Sequence, residues 1–456
     1  MLQVINPYNQ EIFAEMAYDD NVSVATKIKA ARTALPMWRR MPLAERMSYI
    51  KEGLAYFHQN KGAMAQEISC QMGKPLYESL NEFNGFFERA EYLLKIAPQA
   101  LAPDILPPKA GFVRRIQHEP LGVVLDIAAW NYPLLIAVNV VIPALLAGNT
   151  VLLKHSARTP LCGVHFEKAF GHLSEGLVTH VVASHEQTLN LIQDRRVDHV
   201  VFTGSVKGGR QVYQAAASGL IDAGLELGGK DPAYVAADAD LDFTVPNVVE
   251  GACYNAGQSC CAIERVYVHQ SLYDRFVDQA RGVMAQYVMG DPLDGQTTLG
   301  PLADPNALDF LEQQVTEACR QGAQIVVGGK RLGGTRGNFF QPTLLKNVPN
   351  DAQVMQEESF GPVLPVCAVA SDQEALAMMN QTRFGLTASV WTPDQDRAEW
   401  FARELLAGTI YQNRCDYLDP ALPWTGVNAS GIGSSLSKYG FYHLTRRKSI
   451  HFRTKV

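Results

Sequence analysis

Between Gly122 and Gly229, five short runs rich in valine, isoleucine and leucine alternate with stretches of helical spacing: VVLDIAAW, TVLLKH, THVVAS, HVVFTG and GLELGG. Strands that read as continuous apolar runs are covered on both faces, and intervening helices supply the cover, so the pattern predicts a parallel, doubly wound α/β sheet. Ligands of such sheets sit beyond the carboxyl ends of the strands, which directs attention to the residues that follow each run. A second alternating region follows Gly229. It has helical patterns near Leu272 to Met289 and Leu308 to Gln321, and strand-like runs QIVVGG, LTASVWT and GTIYQN, and it predicts a second α/β domain. Residues Val22 to Ala97 carry apolar positions at helical spacing and should cover one face of the first sheet. No repeat or long linker separates these regions, so the domains should pack around a shared cleft.

The chain has 456 residues, 47% of them hydrophobic and 19% charged, enough for a large core and two or three domains. A formal charge of -6 and dispersed basic residues argue against a nucleic-acid partner and favour a small metabolite. Eight scattered cysteines, two of them adjacent at Cys260 and Cys261, suit free thiols in a reducing compartment and not a disulfide framework. The opening MLQVINPYNQEIFAE shows neither a signal nor a transit character, so a cytoplasmic location is expected. The apolar run Leu134 to Gly148 is shorter than the roughly 20 residues a membrane helix needs, and Asn139 and Pro143 interrupt it. It reads as a buried helix.

Four segments can carry chemistry. In HVVFTGSVKGGR, a strand runs into Gly204-Ser205-Val206-Lys207-Gly208-Gly209 and then a helical pattern, a turn that favours a phosphate but serves equally as a packing solution. NAGQSCCAIER, Asn255 to Arg265, offers a cysteine thiolate for covalent carbonyl chemistry, although an inert buried cysteine is the commoner case. LELGGKDP places Glu226 before two glycines, either as a base for a water molecule or as a loop carboxylate. In AAWNYP, Asn131 either offers its amide to an oxyanion or forms a turn before Pro133.

In this order, these segments resemble the aldehyde dehydrogenase superfamily. The resemblance runs from INPYNQE near the start to GIGSSLSKYG near the end, through GDP at Gly290, GPL at Gly300, EESFGPVLPV from Glu357 and AGTIYQN ending at Asn413. It implies an oxidoreductase that converts an aldehyde to a carboxylic acid with NAD or NADP. Cys260 would be the nucleophile, forming a thiohemiacetal and then a thioester; Asn131 and the Cys260 N–H would hold the oxyanion; Glu226 would activate the hydrolytic water. Cys260, not Cys261, fills the family's Gly-Gln-x-Cys pattern. Lys154 corresponds to a contact with the adenosine ribose, Gly204, Ser205 and Gly209 to the turn under the pyrophosphate, and Glu358 and Phe360 to the pair that positions the nicotinamide end. Trp130, Ser156, Thr203, Leu227 and Gly228 belong to the same cofactor surface, and Tyr132, Asn139, Tyr254, Cys261 and Arg414 to the substrate pocket. No metal is implied.

The implied fold is α/β and aldehyde dehydrogenase-like. It comprises a doubly wound parallel-sheet cofactor domain (1–100 and 121–228), an α/β catalytic domain (229–428) and a small β oligomerisation element (101–120 and 441–456) serving a homodimer or homotetramer. Three departures from the family pattern bear on function. Ala157 and Arg158 stand where NAD-preferring members often carry a ribose-binding glutamate, so NADP should be accepted. Val140 and Ser435 stand where many members place a lysine and a glutamate that relay the proton of the general base, and Asn428 and Ser434 replace a further lysine and arginine. Compact bacterial succinate-semialdehyde dehydrogenases share the Lys154-His155 pair, but their carboxylate-binding arginines are Asn139 and Tyr254 here. A neutral aldehyde is therefore expected, with Arg414 the residue able to reverse that preference. Succinate-semialdehyde oxidation, a catalytically silent crystallin-like role and acyl transfer to coenzyme A are the alternatives, and Glu226 argues against the last.

Overall fold

The computed structural model describes residues 1–171, 174–334 and 336–455. Its first sheet has six strands in the order Gly431–Ile432, Ala223–Glu226, His199–Thr203, Val123–Ala128, Thr150–His155 and Val178–His180. All are parallel except Gly431–Ile432, which runs antiparallel to Ala223–Glu226. The strands Val123–Ala128 and Thr150–His155 are buried along their whole length, as their unbroken apolar runs require. The chain winds from Val123–Ala128 to one side through Thr150–His155, then returns and winds to the other side through His199–Thr203. The crossovers therefore diverge beyond Ala128 and Thr203, and this switch of direction opens a crevice where Trp130, Asn131, Gly204 and Ser205 lie.

Each face of this sheet has its own core. The N-terminal helical stretch resolves into Asn21–Arg40, Leu43–Met72 and Leu76–Ala100. The last two join Pro133–Ala147 on one face, around Phe57, whose ring lies 4.6 Å from Phe86, 5.0 Å from Phe166 and 6.2 Å from Phe170. Val24, Ile28 and Ala31 of the first helix pack on the other face with Val212, Ala215 and Ala216 of Val206–Gly219. Pro133 starts its helix at the position where a missing N–H costs nothing, and Gly148 ends it at φ 95°, a left-handed turn that favours glycine. Among the described residues, no helix is long and apolar enough to cross a membrane.

The second sheet has seven strands in the order Gln324–Val327, Thr343–Lys346, Val363–Val369, Ile263–His269, Asp231–Val235, Thr387–Trp391 and Thr409–Gln412. Only Gln324–Val327 is antiparallel to its neighbour. Its core gathers Tyr234, Tyr267, Phe276, Phe340 and Trp391. A separate three-stranded antiparallel sheet joins Asp104–Ile105, Phe112–Pro120 and Thr445–Arg453, the last two paired from Thr445 opposite Pro120 to Arg453 opposite Phe112. Its last strand starts at Thr445; Phe441, where the expected tail element opens, lies in the helix Ser437–His443 and is buried among the helices covering the first sheet. Val456, the last residue of the expected tail element, lies outside the described residues.

Because Phe57 joins three aromatic rings from two other helices, Phe57→Ala should destabilise the protein by about 3–5 kcal/mol. A urea unfolding midpoint unchanged from that of the unaltered protein would contradict this account of the core.

Candidate active site

A cavity of about 840 Å³ opens between the carboxyl ends of the first sheet and the loops of the second. Asn131, Glu226 and Cys260 all line it, as do all five residues expected in the substrate pocket, Tyr132, Asn139, Tyr254, Cys261 and Arg414. Each arrives on a different element. Asn131 follows the strand Val123–Ala128, Glu226 ends the strand Ala223–Glu226, and Cys260 sits between the turn Tyr254–Gly257 and the strand Ile263–His269.

The cysteine loop is held in a strained conformation. Asn255, Ala256 and Gly257 all adopt left-handed φ values, 53°, 54° and 72°, and a Cβ on Gly257 would lie 2.3 Å from the Gly361 carbonyl oxygen. Asn255 Nδ2 donates to the Asn131 carbonyl at 3.0 Å and to the Gln258 carbonyl at 3.2 Å, while Asn131 Nδ2 donates to the same Gln258 carbonyl at 3.1 Å. That bond fixes the Asn131 amide beside the cysteine loop and leaves its second N–H for another acceptor.

The two neighbouring thiols differ in surroundings. Cys260 is partly exposed in the cavity, whereas Cys261 is buried and donates to Asp416 Oδ1 at 2.9 Å. The hydrogen bond with Cys260, burial and the Asp416 carboxylate push the Cys261 thiol well above its ordinary range, so it stays protonated. Burial raises the Glu226 carboxyl, a shift opposed by the Ser435 and Thr203 hydroxyls and the charge of Arg89.

Several of the expected cofactor residues lie at the carboxyl ends of the first sheet's strands or in the loops that follow them. Ser205 caps the helix Val206–Gly219 by accepting from the Gly208 N–H at 3.2 Å, and a Cβ on Gly209 would strike Leu227 at 2.5 Å, so helix and strand meet closely there. Lys154 is buried, which lowers its pKa, and no ion pair or hydrogen bond engages its ammonium group among the described residues. An unpaired cation of this kind fits a polar or anionic ligand group. Ser156, in the turn after that strand, accepts from the Arg158 N–H at 3.3 Å. Arg158 itself is committed to Asp304 at 2.6 Å and to the Ala303 carbonyl at 3.0 Å. Glu358 accepts from the Gly229 N–H at 3.1 Å, and a Cβ on Gly228 would lie 2.1 Å from its carboxylate. Burial pushes the Glu358 carboxyl up to about 8. The Phe360 ring meets Trp130 edge-on at 5.6 Å. These groups can accommodate a dinucleotide along the crevice.

Several residues that shape the site were not singled out from the sequence. Arg89, buried in Leu76–Ala100, donates to the Leu135 carbonyl at 3.2 Å and to Asn139 Oδ1 at 3.3 Å and lines the cavity. Its signal was a charge within the apolar face formed by Phe86, Ala90 and Leu93. Glu264 accepts from Lys230 Nζ at 2.6 Å and from the N–H groups of Ser359 and Phe360 at 2.7 and 2.8 Å, anchoring the turn that presents Glu358 and Phe360. Its signal was a charge inside the apolar strand IERVYVH. Asp416 secures Cys261 and Ser259, and nothing in the local sequence distinguishes it from a loop aspartate.

Fold and site together define a class: an α/β protein whose first sheet switches direction beside a cavity shared by a cysteine, an amide and a carboxylate. The sequence profile of the aldehyde dehydrogenase family matches residues 1–450. The chain is 35% identical to an aldehyde dehydrogenase of Paenarthrobacter nicotinovorans over 94% of each protein. It is also 35% identical to a succinate-semialdehyde dehydrogenase [NADP(+)] of Deinococcus radiodurans, over 99% of this chain and 95% of the relative. The solved structure of a 3,6-anhydro-L-galactose dehydrogenase superposes with a TM-score of 0.94 at 32% identity, covering 98% of this chain and 95% of that one. The chain belongs to the aldehyde dehydrogenase family, and the expected aldehyde dehydrogenase-like α/β fold is the one observed.

Glu264→Ala would leave the buried Lys230 ammonium without its carboxylate, only the Ser359 hydroxyl remaining at 2.9 Å, and the Ser359 and Phe360 N–H groups without their acceptor. It should cost about 3–5 kcal/mol of stability and weaken dinucleotide binding, measured by denaturation and calorimetric titration. Unchanged dinucleotide affinity would show that Glu264 does not position the Glu358–Phe360 turn.

Proposed function

We propose that this chain oxidises an aldehyde to its carboxylic acid with NAD or NADP, through a thioester on Cys260. The observation that supports this most is the single cavity shared by Cys260, Asn131 and Glu226. The Cys260 thiolate attacks the aldehyde carbon, and the free Asn131 N–H together with the Cys260 backbone N–H stabilises the oxyanion. A nicotinamide held there would supply the hydride acceptor that the Cys260 thiohemiacetal needs to become a thioester. Glu226 then removes a proton from water as its oxygen attacks the thioester carbon, and the Cys260 sulfur departs. Cys261 takes no part, because Asp416 holds its proton.

Lys154, Ser156 and the turn Gly204–Ser205 would hold the adenosine and phosphate groups, with Gly209 and Leu227 bringing helix and strand close enough to form that turn. Trp130, Thr203, Gly228, Glu358 and Phe360 would border the nicotinamide end. No carboxylate stands at Ala157 to repel a 2'-phosphate, and the name of the Deinococcus relative points the same way, although Arg158 is occupied by Asp304. Residues 1–100 with 121–228 would form the cofactor domain, 229–428 the catalytic domain, and 101–120 with 441–456 the oligomerisation element. Thr445–Arg453 is an edge strand with Phe452 exposed, and a second copy of the chain would cover it in a homodimer or homotetramer.

The pocket favours a neutral, polar aldehyde. Asn139 occupies Arg89, whose charge also faces Glu226, and the mouth adds Asn81, Asn84, Asn247, Glu88 and Glu250. The alternative, succinate semialdehyde, draws on Arg414, which stacks on the Tyr417 ring at 3.7 Å with no carboxylate partner among the described residues. Comparison of kcat/KM for succinate semialdehyde and an uncharged hydroxyaldehyde of similar length separates the two readings. The neutral substrate should win, and Arg414→Gln should leave its turnover unchanged. A large preference for succinate semialdehyde that Arg414→Gln abolishes would reverse the assignment.

For the chemistry, Cys260→Ala should abolish reduced-nicotinamide formation. Glu226→Gln should retain the first turnover but slow steady-state turnover by roughly 10²–10⁴-fold. A Cys260→Ala variant with full activity would refute the mechanism.

A further inference from the structure

The sheet face that carries Glu226 is unusually polar for a core. In the pairing register, Val124 lies opposite His199, Asp126 opposite Val201, Val201 opposite Gly224 and Thr203 opposite Glu226. Alternation along the strands therefore puts Asp126, His199, Thr203, Gly224 and Glu226 on one face. Both carboxylate oxygens of Asp126, both ring nitrogens of His199 and Nε2 of His443 are buried without a hydrogen-bond partner. Ser435 Oγ faces the Glu226 carboxyl without making a bond at full strength.

Of these groups Glu226, Ser435, Gly224 and His443 line a second cavity of about 10 Å³, together with Val140. That is about the space needed for one water molecule, and its walls supply polar partners for it. The glycines make room for the histidine. A Cβ on Gly224 would lie 2.5 Å from His443 Nε2, and one on Gly433 would lie 2.6 Å from His443 Cε1. The ring is only partly buried, at the end of the helix Ser437–His443, and the exposed carboxylate of Asp222 acts on it from outside. It thus spans the distance between the cavity and the surface.

We propose that Glu226 discharges its proton through this cavity to His443, with Ser435 positioning the water between them. This rests on the reading of Glu226 as the base for thioester hydrolysis. The proton taken from the attacking water passes from the Glu226 carboxyl to the cavity water, which gives one of its own to His443 Nε2. The imidazolium then turns its Nε2 outward and releases that proton to bulk water, which leaves the ring in its starting tautomer, protonated at Nδ1. No electron is transferred and no co-reactant is consumed. The other titratable groups nearby leave this task to His443. Burial pushes Asp126 well above the usual carboxylate range and His199 down to about 3, so both stay neutral. Arg89 acts on Glu226 from Leu76–Ala100, and His199 meets the His443 ring edge-on at 4.9 Å. Burial lowers His443 itself, with Asp222 opposing the shift, so it yields a proton readily.

The test uses His443→Ala and Ser435→Ala in the full-length protein, following formation and decay of the acyl adduct on Cys260 by rapid-quench mass spectrometry. Adduct formation and dinucleotide affinity should match the unaltered protein. Decay should slow about tenfold, less than the loss of a group acting directly on the reacting atoms, and added imidazole should restore the rate in His443→Ala. Decay unchanged in both variants, or a loss in His443→Ala that imidazole does not relieve, would overturn the route. If His443→Ala does not fold, Ser435→Ala and Ser435→Val decide alone, and unchanged decay in both overturns it. Absence of any acyl adduct in the unaltered protein would instead refute the underlying function.

Discussion

The site depends on charge buried along one face of the helix Leu76–Ala100. Glu78, Glu82 and Arg89 recur at helical spacing and all point inward, where an isolated charge would cost several kcal/mol. Each is matched by a specific group. Glu78 accepts from the Asn255 N–H at 3.0 Å, which restrains the cysteine loop. Glu82 binds Lys74 at 2.6 Å and accepts from the Leu134 N–H at 2.8 Å, which satisfies the start of the helix that follows Asn131. Arg89 secures Asn139. One helix thereby fixes the nucleophile loop, the amide-bearing turn and the pocket wall relative to each other. Breaking any of these links leaves a buried polar or charged group without its partner, so the three sites are restrained together.

The second sheet repeats this arrangement around Lys230 and Glu264. Burial lowers the Lys230 ammonium, and the adjacent Glu264 carboxylate opposes that shift. Because Glu264 also accepts two backbone N–H groups, Phe360 can persist at φ 52°, a left-handed conformation that a residue of its size adopts only when its surroundings demand it. The aromatic side of the crevice is therefore placed by a buried carboxylate that never reaches the crevice itself.

Much of the fold was legible from the alternation of apolar runs and helical patterns, because burial on both faces leaves a signal that does not depend on distant partners. The runs TVLLKH and HVVFTG became central strands, while THVVAS supplied only Thr179 and His180 to the short strand Val178–His180, and its last residue, Ser184, caps the next helix. The motifs led to Asn131, Glu226 and Cys260, which the fold brings to one cavity from segments far apart in sequence. Arg89, Glu264 and Asp416 were not legible in the same way. A charge in an amphipathic helix ordinarily reads as solvated, and only the tertiary partner shows that it is turned inward. The helix Ser437–His443 was not legible for a related reason: an aromatic residue before a basic strand suits either a strand or a helix end, and packing decides.

The adjacent cysteines show most clearly why local sequence underdetermines chemistry. Two thiols one residue apart have the same composition around them, yet a nucleophile needs access and a labile proton. Side chains of neighbouring residues leaving a strained turn point in different directions. That geometry sends Cys260 into the cavity and Cys261 toward the buried Asp416. Asp416 is itself raised by burial and drawn down by the Cys261 and Ser259 donors and by the charges of Lys74 and Arg89. The same buried charges that align the site therefore stabilise the group that keeps the second thiol protonated, and the selection of one sulfur over the other is a property of the whole network, not of the Cys-Cys motif.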